Sequence, residues 1–572
     1  VSDRVDGQLR PGMPVLNQSN YGGGVEAVEH LFRRLEQLNE IGAALSKETD
    51  LDALLEQILV AAQTITRADG GTLYLLEGGD RLRFAIIRNS TLGIAMGGVN
   101  GTEISFYPIH LTNREGQPNN SMVAAYAALH GKTVNIADAY VEKGFDFSGT
   151  RNVDQKTGYR SQSFLTVPMK DHQGEIIGVL QLINCKDEAD GAIVPFSFSD
   201  QRLAESLASQ AAIAITNRQL ILQLQELFES FIGMINSAID EKSPYTGGHC
   251  QRVPELTMML AEAVNGTGKG DLSGFRMDDG DRYELKMAGL LHDCGKITTP
   301  VHVVDKSTKL ETIFDRINLV DTRFEVLKRD AEIAALRRRE EIALRSGGNE
   351  LAHREAVHRI DHDLQARLRQ LDSDRAFLRK CNVGGEFMPE ADQEKVRRIA
   401  VEYKWTDVSG ATANFLTEDE LLNLNIARGT LTNAEREIIN HHIVATINML
   451  EALPWPKHLK NVPEYAGGHH ERMDGKGYPR GLLREQMSVQ ARVMGIADIF
   501  EALTARDRPY KKGKTLTEAL TILGKFRQNG HIDPELFDVF VREKVYLRYA
   551  TQFLEVEQID KVDESRIPGY TP

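Results

Sequence analysis

The sequence predicts a multi-domain protein: an α+β N-terminal half with an antiparallel sheet and flanking helices, a long connecting helix, and an all-α C-terminal half carrying a helical insertion. Three observations predict it. Short strand-like apolar runs broken by glycine turns occupy 71–183; apolar residues recur at alternating steps of four and three over 220–238; and histidines and aspartates sit inside helical apolar patterns on both sides of a long charged stretch. With 572 residues and 41% hydrophobic content, the chain is long enough for about two to four packed domains.

Residues 1–25 are rich in Gly, Pro, Asn and Ser, with Gly22, Gly23 and Gly24 in succession, and read as a loose leader. The first domain is expected over 26–218. Helical periodicity at 31–59 gives way to strand-like runs at 71–76 and 81–87, separated by Gly78 and Gly79; runs at 163–169 and 176–183 flank the polar turn Asp171-His172-Gln173-Gly174 and predict an antiparallel hairpin. From Asp200 the pattern is helical. Leu220, Leu224, Leu227, Phe231, Met234 and Ala238 form a heptad seam, which places a connecting helix over 200–238, overlapping the end of the first domain. A helix packed on its own domain gives the same pattern, but its place between two domains favours a parallel homodimer. The second domain is expected over 231–550, with a tail at 551–572. Inside it, 310–429 mixes acidic and basic residues at helical spacing and is interrupted by Gly347 and Gly348, which predicts a helical hairpin solvated on most faces.

Net charge of −14 argues against polymeric nucleic acid as a partner, while leaving room for a small anion in a locally basic pocket. No apolar run approaches the ~20 residues that span a bilayer, and the N-terminal stretch lacks the apolar segment of a secretory signal. The expected location is the cytoplasm, with no membrane contact. Cys185, Cys250, Cys294 and Cys381 are scattered without C-x-x-C spacing, so reduced thiols are expected rather than a disulfide framework or a thiolate zinc site.

The densest chemistry lies at His469-His470-Glu471, followed by Asp474-Gly475 and Gly477-Tyr478-Pro479. His292-Asp293 and Lys296 lie upstream, and Asp498 downstream in an apolar helix. Any one of these would more often be a paired core residue or a capping acid; together they point to a divalent-metal hydrolase. His292 and Asp293 fall near a helix end, where neighbours are ~100° apart and can reach one centre from its edge; a carboxylate can bridge two ions where an imidazole cannot. Thr432 and Glu435 form a capping-box start, and Ile438, His442, Ala445 and Met449 share one face of the helix that follows, which turns His442 inward. Asp498 shares a stripe with Ala491, Met494, Ala502 and Ala505, where an unpaired carboxylate is costly and a cation would offset that cost. Gly475 and Gly477 give the intervening loop backbone freedom, and Pro479 stiffens it. Imidazole and carboxylate donors without thiolate favour iron or manganese, and a pair of such ions would activate water and neutralise a phosphodiester in line.

On His292-Asp293 with Gly295-Lys296, and His469-His470-Glu471 with Asp474-Gly475, Gly477-Tyr478-Pro479 and Gly481-Leu482, the second half resembles the HD-GYP phosphodiesterases. The resemblance spans about 231–547 apart from the insertion, and includes Gly248-His249 and Asp507-Arg508-Pro509-Tyr510-Lys511. It implies an all-α HD-type fold that hydrolyses cyclic di-GMP to pGpG, with continuation to GMP left open. It also implies that His249, His292, Asp293 and Asp498 hold one metal, and that Asp293 bridges to a second held by His442, His469 and His470. Lys296 then lies near the scissile phosphate, Arg508 and Lys511 hold ligand phosphates, and Tyr478 shapes the guanine side. Where some members carry a glutamate for a third metal this chain has Tyr245, so the implied complement is two divalent ions per chain, iron or manganese. Hydrolysis of another cyclic dinucleotide such as cyclic GMP-AMP, or a non-catalytic cyclic di-GMP receptor acting through protein contacts, are the alternatives.

The first half, about 30–218, resembles GAF domains on Ala68-Asp69-Gly70-Gly71-Thr72-Leu73, the segment from Thr133 through Tyr140, Thr157-Gly158-Tyr159-Arg160, and the run ending at Asn184. It looks most like those of cyclic-nucleotide-regulated enzymes, whose signature has its counterparts here in Asn184, Lys186, Phe196 and Asp200, with one inserted residue and Gln201 for the final glutamate. Those residues either pin the sensor fold or line a pocket for a cyclic nucleotide or other small ligand. The resemblance implies regulation of the second half by the first.

Overall fold

The computed structural model describes residues 34–571 other than 35, 114, 243–247, 269, 346–349, 386 and 506–512. The chain divides into two compact units, Val1–Phe228 and Glu229–Pro572.

The first unit is built on one antiparallel sheet. Asp50 caps α1 (Leu51–Thr66) by accepting from the Ala53 amide at 2.8 Å, and an αL turn at Arg67 hands the chain to β1 (Ala68–Glu77). β1 is central, between β2 (Arg81–Asn89) and β7 (Ile176–Lys186). The order is β3-β2-β1-β7-β6-β5, with β3 at Ile94–Met96, β5 at Val134–Ile136 and β6 at Phe164–Lys170; β4 (Ile109–His110) joins β2 and β8 (Ile193–Val194) joins β7. The predicted strand runs are thus β1–β2 and the hairpin β6–β7. Burial along β1 is nearly continuous because both sheet faces are covered. Ile58 and Leu59 of α1, with Leu207 and Ala211 of α4 (Phe198–Lys242), pack on Leu73 and Leu180. Ala124 and Ala128 of α2 (Val123–His130) pack on Tyr74 and Val179 opposite, and α3 (Ser148–Thr157) follows β5.

α4 is 45 residues long and contains the whole seam. Leu220, Leu224, Leu227, Phe231 and Met234 are 51–66% exposed within the single chain.

The second unit is largely helical: α5 (His249–Asn265), α6 (Asp279–Leu291) and the short α7 (Val301–Val304) precede the insertion. The insertion contains α8 (Ile317–Arg345), α9 (Glu350–Asn382), α10 (Glu390–Glu402), the hairpin β9 (Lys404–Thr406) and β10 (Thr412–Asn414), and α11 (Glu418–Leu424). After it come α12 (Asn433–Glu451), α13 (Val462–Gly467), α14 (Val489–Thr504), α15 (Leu516–Gln528), α16 (Pro534–Arg542) and α17 (Val545–Phe553). The expectation of a mostly solvated hairpin holds only for the distal ends of α8 and α9, where Leu336, Leu344 and Leu351 are exposed. At the base, Phe324, Leu371, Leu378, Val396, Tyr403, Phe415 and Leu424 are fully buried in a core drawn entirely from the insertion. The inserted segment is therefore a small packed module with a two-stranded hairpin of its own. Among the described residues no helix is long and apolar enough to cross a membrane.

Candidate metal centre

A capping box between Asp278 and Asp281 starts α6, which ends at Leu291. His292 keeps helical backbone angles, but Asp293 leaves them at φ −108° and ψ 10°, opening a 3-10 turn over Cys294–Thr298. That turn lies directly on α12. The Gly295 amide donates to Thr446 Oγ1 at 2.9 Å, and a Cβ on Gly295 would fall 2.0 Å from the His442 carbonyl oxygen, so only glycine permits the approach. α12 opens with the predicted capping box of Thr432 and Glu435. Its buried face is His442, Ile443, Thr446, Ile447 and Leu450, whereas Ile438 and Met449 are exposed. His442 points inward as expected, yet the apolar stripe assigned to it is rotated. Glu284 on α6 accepts from the Asn461 amide at 2.6 Å and from its Nδ2 at 3.1 Å, tying α6 to the start of α13, which leads to His469 and His470.

These elements bring His249, His292, Asp293, His442, His469, His470 and Asp498 together. His249 Nε2 is 3.0 Å from Asp293 Oδ2 and 3.4 Å from Asp498 Oδ1; His292 Nε2 is 3.2 Å from Asp293 Oδ2 and 4.0 Å from Asp498 Oδ1. On the other side, His442 Nε2 is 3.2 Å from His470 Nε2 and 3.3 Å from Asp293 Oδ1. His249, His292 and Asp293 form one group whose donor atoms lie within 4.8 Å of one another, and His442, His469 and His470 form another. Asp293 turns one oxygen to each.

The ring tautomers are set from behind. Nδ1 of His292, His442 and His469 lies 2.7, 2.6 and 2.6 Å from the carbonyl oxygens of Gly289, Ile439 and Ala466, so each Nδ1–H donates and the Nε2 lone pair faces the centre. The lone pair that His442 Nε2 turns inward lies 3.3 Å from Asp293 Oδ1, a repulsion that a cation between them would relieve, and the buried Oδ1 accepts no hydrogen bond from the described groups. The residues fit divalent metal. Burial, reinforced by His470 and His292, lowers His469 well below the ordinary histidine range; burial, with His442 adjacent, lowers His470 to about 4, so both are neutral donors at pH 7. Burial opposes ionisation of Asp293, but Lys296 and His292 outweigh it and hold the carboxyl well below the carboxylate range. Burial likewise opposes the charge on Lys296, which Asp293 and Asp498 nevertheless raise; its Nζ is 2.5 Å from Asp293 Oδ2.

Beside the cluster is a cavity of about 450 Å³ lined by His469, His470, Tyr478, Asp498, Arg472 and Lys514, among others. Tyr478 stacks on His470 with ring centroids 4.8 Å apart and 25° between planes. Glu471, buried, closes the loop by accepting from the amides of Arg480 at 2.7 Å and Leu482 at 2.9 Å. Gly475 has φ +73°, as backbone freedom requires; Gly477 is needed for a different reason, since its Cβ would meet Glu471 Cα at 2.5 Å. Arg508, Lys511 and Tyr245 lie outside the described residues.

Sequence reasoning passed over Glu501. It is fully buried, 2.6 Å by Oε2 from His249 Nδ1 and 2.7 Å by Oε1 from Arg252 Nε. Its position three residues after Asp498 on the same apolar helix was the available signal.

In the first unit, Asn184 is buried at φ +57°, its Oδ1 accepting from the Gln162 amide at 2.7 Å and its Nδ2 donating to the Arg160 carbonyl at 2.8 Å. Lys186 pairs with the buried Asp69, Asp200 pairs with Arg34 at 2.7 Å and Ser197 Oγ at 2.7 Å, and Phe196 is in the core. Each polar group is satisfied by protein, which favours these four as pins of the fold over a ligand pocket.

The GAF domain family matches residues 50–215, and two HD domain families match 246–372 and 417–536. Fold and site thus define a chain in which a GAF domain is followed by an HD-type helical domain. Among curated proteins, a cyclic di-GMP phosphodiesterase of Pseudomonas aeruginosa is 40% identical over 114 residues, 20% of this chain and 26% of its own length. The 3'3'-cGAMP-specific phosphodiesterase 1 of Vibrio cholerae is 46% identical over 81 residues, 14% of this chain and 19% of its own. The dual 3',5'-cyclic-AMP and -GMP phosphodiesterase 11A of Takifugu rubripes is 28% identical over 207 residues, 36% of this chain and 21% of its own. This chain therefore covers only 19–26% of the length of these relatives.

Proposed function

We propose that this protein is a metal-dependent phosphodiesterase that opens cyclic di-GMP to pGpG under the control of its GAF domain. The observation that carries the reading is Asp293, whose two oxygens face two separate histidine groups while Oδ1 accepts no hydrogen bond from the described residues. His249, His292, Asp293 and Asp498 would hold one divalent ion, and Asp293, His442, His469 and His470 a second, with iron or manganese suited to the donor set. Such ions supply water activation and neutralisation of phosphoryl charge. Lys296 keeps its ammonium beside Asp293, within reach of a phosphate oxygen, and stabilises charge as it develops. Tyr478, fixed on His470, offers a ring face to a guanine, and Glu471 holds the loop that carries it. Arg508 and Lys511 are assigned to ligand phosphates by the sequence resemblance. The exposed seam of α4 supports a homodimer, through which a small ligand at the GAF domain would act on the cavity. We place the protein in the cytoplasm.

The likeness to a cGAMP-specific enzyme favours cyclic GMP-AMP as the second substrate to test. The deciding experiment measures metal content of the purified chain and separates the products formed from each dinucleotide. Two ions per chain with pGpG formed fastest from cyclic di-GMP is the expected result. Faster turnover of cyclic GMP-AMP reassigns the substrate, and tight binding of cyclic di-GMP without turnover by the metal-loaded chain makes it a receptor.

A further inference from the structure

His249 differs from the other histidines whose Nδ1 partner is defined. His292, His442 and His469 are each held by a backbone carbonyl three residues back, a neutral acceptor in their own turn. His249 is the first residue of α5. Its Nδ1 instead meets Oε2 of Glu501 at 2.6 Å, a carboxylate 252 positions along the chain on α14. The other oxygen of Glu501 is engaged by Arg252, one turn beyond His249, with Nε and Nη2 both at 2.7 Å. Glu501 is 1% exposed, so neither oxygen is shared with solvent.

We propose that Glu501 is a positioning residue for His249, itself held in place by Arg252, and that this pair sets the metal affinity of one half of the centre and not the other. The inference rests on the reading that both histidine groups hold divalent ions. A carboxylate behind an imidazole fixes which nitrogen carries the proton, locks the ring plane and makes the opposite nitrogen a stronger donor. Here the opposite nitrogen is Nε2, directed at Asp293 and Asp498. Among the described residues His442 and His469 have backbone carbonyls behind them, so the group around His249 and His292 should bind the tighter ion. The bland alternative is a buried salt bridge that merely staples α5 to α14.

The test titrates the metal-free 572-residue chain with Mn²⁺, following free ion by electron paramagnetic resonance, for wild type, Glu501→Gln and Arg252→Gln. Wild type should show two classes of site. Glu501→Gln should weaken the tighter class by about 10–100-fold, the usual effect of removing such a partner, leaving the weaker class unchanged; KM for the dinucleotide should hold, and kcat should recover at saturating Mn²⁺. Arg252→Gln should affect the same class by less. Unchanged binding in Glu501→Gln, or equal loss from both classes, overturns the proposal. If Glu501→Gln is insoluble, Arg252→Gln decides: loss confined to the tighter class supports it, and any other pattern overturns it. Wild type that takes up no Mn²⁺ removes the metal reading itself.

Discussion

Oδ1 of Asp293 lies 3.3 Å from Nε2 of His442, while Oδ2 of the same carboxylate lies 3.0 Å from Nε2 of His249. One side chain is thus common to both histidine groups. Asp293→Ala should reduce bound metal by more than His470→Ala or any other single histidine change, because it removes a donor from each ion. Elemental analysis after dialysis checks this. Equal losses in the aspartate and histidine variants would mean that Asp293 does not bridge.

Lys296→Ala should retain near-normal metal and lose about 10²-fold in kcat, the scale expected for one group that stabilises transition-state charge. Product assays beside metal analysis separate the outcomes. Unaltered turnover removes the ammonium from the mechanism, and loss of metal along with activity makes it structural.

Lys306 is buried with a side chain 1% exposed, and its Nζ reaches both oxygens of Glu435 at 2.8 and 2.9 Å and Asn423 at 2.8 Å. Burial opposes the charge on Glu435, but Lys306 and the Thr432 cap outweigh it and hold its carboxyl below 4.5. The unfolded chain therefore takes up this proton first as acid is added. The stability contribution is full above pH 4.5 and is lost as pH falls through the lower folded value. Glu435→Gln should cost about 3 kcal/mol at pH 7, since it strands a buried ammonium. It should also flatten the slope of stability below pH 4.5; urea unfolding at several pH values measures both effects.

The exposed seam from Leu220 to Met234 predicts a dimer by sedimentation. Two residues inserted after Gln223 would rotate one part of the seam by ~200° relative to the other. This variant should keep both domains folded and lose any response of turnover to ligands of the GAF domain. A response equal to wild type would make the helix a passive spacer.

Much of this was legible in the sequence because short apolar runs bounded by turn residues and paired histidines are local signals. The hairpin β6–β7 follows from two apolar runs on either side of the polar turn at Asp171; His292, Asp293, His442, His469, His470 and Asp498 stood out by residue type, whereas His249 entered through the family resemblance. What escaped is non-local. The core of the inserted module draws Phe324, Leu378, Val396 and Phe415 from four segments separated by charge, so no window shows it. The inward face of α12 was misread because Ile438 and Met449, though apolar, lie exposed. Glu501 went unread because its partner His249 lies 252 positions away in the sequence. Asn184 carried a family signature equally consistent with pinning a strand end, which is what its hydrogen bonds do.

The inserted module departs and returns at one spot: Thr430 Oγ1 donates to the Lys306 carbonyl at 2.9 Å, closing the excursion on itself. The helices bearing the histidines thus experience the detour as a short stitch, whatever its length. Closure cost grows only with the logarithm of loop length, about 0.6 kcal/mol per doubling. This junction is a natural graft point, at which a longer, shorter or unrelated folded segment can be exchanged without re-registering α6 against α12.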